Sequence, residues 1–308
     1  MSKLRFKESI IKKIFKFHGL EDVKSISYID TSYNPCIIIN DKYVIRMNIR
    51  KSGILHFRKE YLVMNWLKKL TIPVPKILVV DDTRKLIKYP FIIMNKLEGT
   101  EVNSGWNQLT SKEKQKIAFD AGVYLTKIHS IQFKEFGDIR ANTLGEYPCW
   151  YDYLIITLKK QLKNCAKYKS VDIKTRKITL DLFIQNKSLL NAVKNPVLVH
   201  GDYHFRNILH KKDKITGIID FEVAIAGDSE FDLKNIEDQF RRLEGFEKPF
   251  MKGYLSKTKL SKDFKIKYSL YTLFFLTELS VTARRFWRKE TRERIKNQIS
   301  AEIAKLTG

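Results

Sequence analysis

With 308 residues, 44% of them hydrophobic and 30% charged, the chain is long enough for two ordinary cores and too apolar for a disordered protein. Its 58 Lys and Arg against 34 Asp and Glu give a formal charge of +24, but the lysines run from Lys3 to Lys305 without a dense tract, so nucleic acid is discounted as the partner. Cys36, Cys149 and Cys165 form no CxxC pair and have no histidine at ligand spacing, which argues against a zinc site and for reduced, structural thiols in a cytoplasmic protein.

In chain order, Phe6, Ile10, Ile14 and Phe17 share one helical face, and the charges between them exclude a signal peptide. VKSISYI, PCIII and KYVIRMNI are β-rich runs separated by polar turns and predict an antiparallel meander. HFRKEYLVMNWLKKL then spaces Phe57, Tyr61, Met64, Trp66 and Leu67 as a helix, which IPVP ends. KILVV and YPFIIMNKL complete a five-stranded sheet with one main helix, ending near residue 97.

From Ser111 onward the periodicity is helical, interrupted by PVLVHGDYHFRNILHKKDKITGIIDFE, whose short β-rich pieces predict a hairpin turning at HKKDK. Helices resume from Glu230 with a break expected near Gly245 and Pro249. The stretch from Tyr268 to Ala283 is apolar, but it carries Thr277, Glu278 and Ser280 and falls short of the ~20 residues that cross a bilayer, so no membrane association is expected. The fold class is α+β and bilobal: residues 1–97 form a small β-rich lobe and 98–308 a larger, mainly helical lobe.

The chemistry concentrates in that hairpin. Pairing residue 209 with 216 and 207 with 218 brings Asn207 and Asp220 to its open end, and Asp202 enters from the preceding loop. A carboxylate and an amide oxygen with open positions suit Mg²⁺, which usually keeps water and phosphate oxygens. The spacing from Asp202 to Asn207 equals that of the protein-kinase loop in which the Asp takes the hydroxyl proton and the Asn holds metal, and Asp220 then occupies the place of the metal-binding Asp of the D-F-G element.

His200-Gly201-Asp202, Asn207 and Ile219-Asp220-Phe221-Glu222 together resemble the aminoglycoside phosphotransferase family and its choline and homoserine kinase relatives. IPVPKIL, PFIIMNKLEG and GDSEFDL extend the resemblance through most of the chain. It implies a protein-kinase-like fold and transfer from ATP or GTP, with Mg²⁺, to a hydroxyl of an aminoglycoside-type antibiotic or related compound. By the same resemblance Asp202 is the base, Arg46 grips the phosphates and is held by Glu60, and the backbone of Met94 to Lys96 meets the purine. Ser32, in the glycine-free turn Asp30-Thr31-Ser32-Tyr33-Asn34, takes the place of the glycine-rich phosphate loop. Asp232 and His200 brace the catalytic loop; Asp228 and Glu230 are candidate contacts for a cationic acceptor. His129 reads as structural, and His204 and His210 as solvent-exposed. Two alternatives stand beside this reading: a housekeeping kinase for choline, homoserine or a sugar, and a catalytically silent nucleotide- or nucleic-acid-binding protein.

Overall fold

The protein is described from a computed structural model, which covers residues 5–29, 35–49, 53–140, 143–234, 236 and 240–308. Two compact units emerge: Met1–Ile117 with Arg140–Asn142 and Phe205–Ala224, and Ala118–Ile139 with Thr143–His204 and Ile225–Gly308.

The first unit opens with helix α1 (Glu8–Phe17), followed by strands β1 (Ile26–Ile29), β2 (Cys36–Ile39) and β3 (Tyr43–Met47), helix α2 (Gly53–Lys69), and strands β4 (Ile77–Asp81) and β5 (Phe91–Asn95). The strands form the expected five-stranded antiparallel sheet, in the order β1-β2-β3-β5-β4. Strand alternation gives the sheet two apolar faces. Ile37, Ile39, Ile45 and Met47 pack with α1 in one cluster, while Ile92 and Met94 gather Val44, Ile77, Val80 and Phe57 of α2 in another. Each fully buried Ile contributes about 1.5–3 kcal/mol relative to exposure. On α1 Ile11, Ile14 and Phe15 are buried and Phe6 and Ile10 pack against the same cluster, so the expected face holds except at its end: Phe17 is 61% exposed, and the buried stripe turns toward Ile11 and Phe15.

A second sheet in this unit joins β6 (Thr100–Glu101), which precedes the short helix α3 (Val102–Gly105), to the hairpin of β10 (Ile208–Lys211) and β11 (Lys214–Ile218), in the order β11-β10-β6. The hairpin register is one residue off the expected one: Leu209 faces Gly217, because a bulge lies between Leu209 and His210. His210, expected to be exposed, is buried at 5% and shares a 3.4 Å contact with Thr100.

Helix α4 (Ser111–Ile128) begins in the first unit and ends in the second. The second unit contains β7 (Gly137–Arg140, apart from its last residue), β8 (Thr143–Leu144), α5 (Trp150–Tyr168), α6 (Ile173–Gln185), α7 (Lys187–Asn191), β9 (Val197–Val199), β12 (Ile225–Gly227), and helices Glu247–Leu255, Phe264–Phe286 and Lys289–Thr307. Its core runs along α5 and the Phe264–Phe286 helix through Leu154, Leu158, Leu270 and Phe274, with Trp150 Nε1 donating to the Tyr271 hydroxyl at 2.9 Å. Helices α4 and Glu247–Leu255 touch backbone to backbone at Gly122 and Gly253, where any Cβ would collide with a carbonyl of the facing helix. The expected break near Gly245 is present: residues 241–246 are a turn with Gly245 at φ 78°, and the next helix starts at Glu247, so Pro249 lies just inside it and not in the break. Pro249 sits in the first turn of Glu247–Leu255, where amides lack intrahelical acceptors anyway. Strands β8-β7-β12-β9 form a small sheet in which β12 pairs antiparallel with β9; β9 leads into His200, and β12, running the other way, leads into Asp228. Among the described residues no helix is long and apolar enough to cross a membrane.

Candidate active site

In the second unit, the chain leaving β9 turns through Gly201 at φ 80°, a conformation glycine adopts without penalty. Asp232 fixes this turn: Oδ2 accepts from the His200 amide at 2.7 Å and from His129 Nε2 at 3.0 Å, and Oδ1 accepts from the Gly201 amide at 2.8 Å. Because a carboxylate only accepts, His129 carries its proton on Nε2. Burial opposes the charge of Asp232, but His129, Lys234 and His200 outweigh it and hold the carboxyl below its usual range. Lys234, itself buried, donates to the Gly201 carbonyl at 2.6 Å and lies 4.3 Å from the centre of the Phe231 ring. Burial pulls its ammonium down, partly countered by Asp232 and Asp202.

Asp202 follows this clamp. Its amide donates to His200 Nδ1 at 3.2 Å, and its Oδ2 pairs with His204 Nε2 at 3.3 Å. Desolvation opposes ionisation, but the His204 hydrogen bond and charge, with Lys234 behind, hold the carboxyl well below the ordinary range. Asp202 is thus an ionised, partly open acceptor on a rigid turn, 39% exposed. His204 is not merely solvent-exposed as expected; it is the partner of Asp202.

In the first unit, alternation along β3 places Arg46 on the face that meets α2. Its guanidinium donates to Glu60 Oε1 at 2.7 Å, Asp220 Oδ1 at 2.9 Å and Glu222 Oε2 at 2.8 Å. Glu60 is fully buried. Burial together with Asp220 and Glu222 pushes its carboxyl up to about 7, against the pull of Arg46. For Arg46 itself burial disfavours the charge, and the carboxylates more than compensate, holding it charged. Asp220 has φ 70°, a left-handed conformation that Asp tolerates better than most residues. At the hairpin's open end the Ile219 amide donates to the Asn207 carbonyl at 3.0 Å, so Asn207 and Asp220 emerge side by side from paired strands.

These residues fit a hard divalent cation. One guanidinium serves three carboxylates, which leaves local negative charge in excess, and Glu60 Oε2 is buried without a hydrogen-bond partner. Among the described residues no cage of three or more His, Cys, Asp or Glu assembles. An amide and a carboxylate with open positions are the donor set that Mg²⁺ accepts.

Met94 pairs with Val44 and Ile77 in the sheet, and the Lys96 amide donates to the Lys42 carbonyl at 2.8 Å. Ser32 lies outside the described residues. Asp228 and Glu230 are buried at 5% and 4%, and both bind Lys267 Nζ at 2.6 Å; Tyr271 adds a bond to Asp228, and Ser261 adds two to Glu230. These carboxylates are therefore engaged inside the protein by a lysine that the sequence reading did not single out. The sequence assigns no role to Lys234, nor to Glu222 beyond its place in the motif ending Asp220-Phe221-Glu222. Glu222 stands two residues past Asp220, and Lys234 two past Asp232, and only the fold gives either a partner.

The fold is the protein-kinase-like fold of the aminoglycoside phosphotransferases. The structure superposes on a thermostable mutant of aminoglycoside phosphotransferase APH(4)-Ia with a TM-score of 0.77 at 17% identity, covering 98% of this chain and 100% of that one. The GDP complex of aminoglycoside 2'-phosphotransferase-IIIa gives 0.71 at 16%, covering 98% and 99%. The chain belongs to the phosphotransferase enzyme family (APH), whose family model matches residues 42–255. In sequence it is similar to the hygromycin-B 4-O-kinase of Escherichia coli, 22% identical over 227 residues, and to acyl-CoA dehydrogenase family member 10 of Mus musculus, 23% over 235. Each match covers 72% of this chain, but the chain spans only 64% of the first relative and 21% of the second.

Proposed function

We propose that the chain transfers the γ-phosphoryl group of ATP or GTP to a hydroxyl of a small molecule, an aminoglycoside-type antibiotic or a related compound. The observation that carries this reading is the convergence of Arg46, Glu60 and Asp220, which joins a sheet cation, a helix carboxylate and the end of the hairpin in one ion cluster. Similarity to an enzyme crystallised with AMP-PNP and hygromycin B, at a TM-score of 0.74 and 16% identity, supports both the donor and the acceptor class.

In this reading residues 1–97 hold the nucleotide and 98–308 carry the catalytic loop and the acceptor. Asn207 and Asp220 would hold Mg²⁺, which neutralises charge on the phosphates when bound. Arg46, kept charged and aimed by Glu60, binds phosphate oxygens through its planar fork. Asp202, ionised on its clamped turn, orients the acceptor hydroxyl and takes its proton. Because phosphoryl transfer passes through a loose transition state, positioning and charge supply most of the rate.

A second reading, a metabolite kinase for a neutral or anionic alcohol, is favoured by the +24 charge and by the engagement of Asp228 and Glu230 with Lys267, which takes two carboxylates away from a polycationic drug. Thermal shift with Mg²⁺ and ATP or GTP tests the nucleotide side of both: stabilisation that saturates in wild type and is lost in Arg46→Ala is expected, and equal shifts in both proteins would contradict the assignment.

A further inference from the structure

The turn between the last two helices gathers positive charge that the proposed chemistry does not use. A cavity of about 180 Å³ in the second unit is lined by Lys169, Arg284, Lys289, Arg292 and Lys296, with Glu293 as its one carboxylate among the described lining residues. Glu293 is already engaged, since Lys296 Nζ donates to its Oε1 at 3.0 Å. The floor is polar: Ser170 and Ser280 are buried at 6% and 5%, with their hydroxyl oxygens 3.0 Å apart.

Two further observations ask for an anion. Arg292 Nε is buried and has no hydrogen-bond partner, and an unsatisfied charged donor is costly unless a ligand completes it. Lys289 and Arg292 also stand at the start of the 19-residue helix Lys289–Thr307, whose N-cap, Arg288, provides no side-chain acceptor. Cations at a helix N-terminus oppose the macrodipole, which Glu290 in the first turn offsets only in part, and the first-turn amides, which have no intrahelical acceptor, add donors of the same sign. Arg284, by contrast, sits at the favourable C-terminal end of Phe264–Phe286 and lines the same cavity. Lys169 closes the site from the end of α5, where its left-handed backbone, φ 50°, caps the helix.

We propose that this cavity binds a small phosphate-bearing anion, of the size of inorganic phosphate or diphosphate. Arg292 Nε and the first turn of the last helix meet the phosphate oxygens, Lys289 and Arg284 neutralise its charge, and the Ser170 hydroxyl can rotate to donate. The small volume and the short turn favour a free anion over the backbone of a nucleic acid. The site is separate in sequence from the clamp at Asp202 and from the ion cluster of Arg46, and it does not depend on the kinase reading.

Calorimetric titration of sodium diphosphate into the full chain at fixed ionic strength tests it, with Arg292→Gln, Lys289→Gln and Arg284→Gln as variants; the last two alter exposed side chains and keep the test open if Arg292→Gln folds poorly. Wild type should bind saturably, and each variant roughly tenfold or more weakly. The thermal shift produced by Mg²⁺ with ATP should be unchanged in all three. Wild-type affinity in every variant, no binding to wild type, or an effect reproduced by KCl at matched ionic strength would overturn the proposal. Tight binding of a DNA oligonucleotide that the three substitutions abolish, without any binding of diphosphate, would overturn it in favour of a nucleic-acid surface.

Discussion

The Arg46 guanidinium and the Asp220 carboxylate, 174 residues apart in sequence, meet at 2.9 Å. The same side chain reaches Glu60, which is fully buried and pairs with Arg46 at 2.7 Å. Replacing Arg46 by Ala strands that carboxylate, and breaking a buried pair in this way costs about 3–5 kcal/mol. Arg46→Lys keeps the charge but not the fork that serves three acceptors, so urea denaturation should rank wild type above Lys and Lys above Ala. Equal midpoints for all three would show that the cluster carries no stability.

Glu60 sets a pH dependence with a definite sign. Its carboxyl titrates near 7 in the folded protein against 4.5 ordinarily, so between these values the native state holds the proton more tightly than the unfolded chain does. Stability contributed by this group therefore falls as pH rises from 4.5 to 7. Urea melts of wild type and Glu60→Gln across this window should show the variant gaining on wild type by up to a few kcal/mol, on the order set by the size of the shift. A difference that stays constant with pH would exclude the assignment.

Asp232 behaves in the opposite way. Its carboxyl is held low, so its contribution is present above the ordinary carboxylate range and is lost as pH falls through its folded value. Asp232→Asn loses charge-assisted bonds to His200, Gly201 and His129, costing about 1.5–3 kcal/mol at neutral pH. The gap between the two proteins should narrow in acid, which chemical denaturation at pH 7 and below pH 4 would reveal.

Lys267 is shared by buried Asp228 and Glu230. Lys267→Met should destabilise by about 3–5 kcal/mol, because two buried carboxylates lose the cation they share. Restoring the loss with Asp228→Asn in the same chain would confirm that the unpaired charge, not lost packing, is responsible.

Much of this architecture was legible in the sequence, because its long elements carry strong periodicity. The five-stranded sheet, α2 and the long helices of the second half follow from apolar spacing, and the hairpin follows from its turn. The sheets containing β6, β7, β8 and β12 were not legible: runs of two to four residues show no period and exist only through pairing with distant strands. The hairpin register missed by one residue because a bulge leaves no compositional mark. Within the site, Asp202, Asn207, Asp220, Arg46 and Glu60 stood out by motif and spacing. His204, Glu222, Lys234 and Lys267 did not, since each acquires its role from a partner that only the folded chain supplies.

The most direct test of the central claim is phosphoryl transfer from ATP and from GTP to a panel of aminoglycosides, macrolides, choline, homoserine and sugars, with wild type and Asp202→Ala side by side. Turnover on one acceptor class, reduced about 10²–10⁴-fold in Asp202→Ala with nucleotide affinity intact, is the predicted result. Turnover that survives the substitution at the wild-type rate would contradict the role of Asp202 and, with it, the phosphotransferase mechanism assigned to this site.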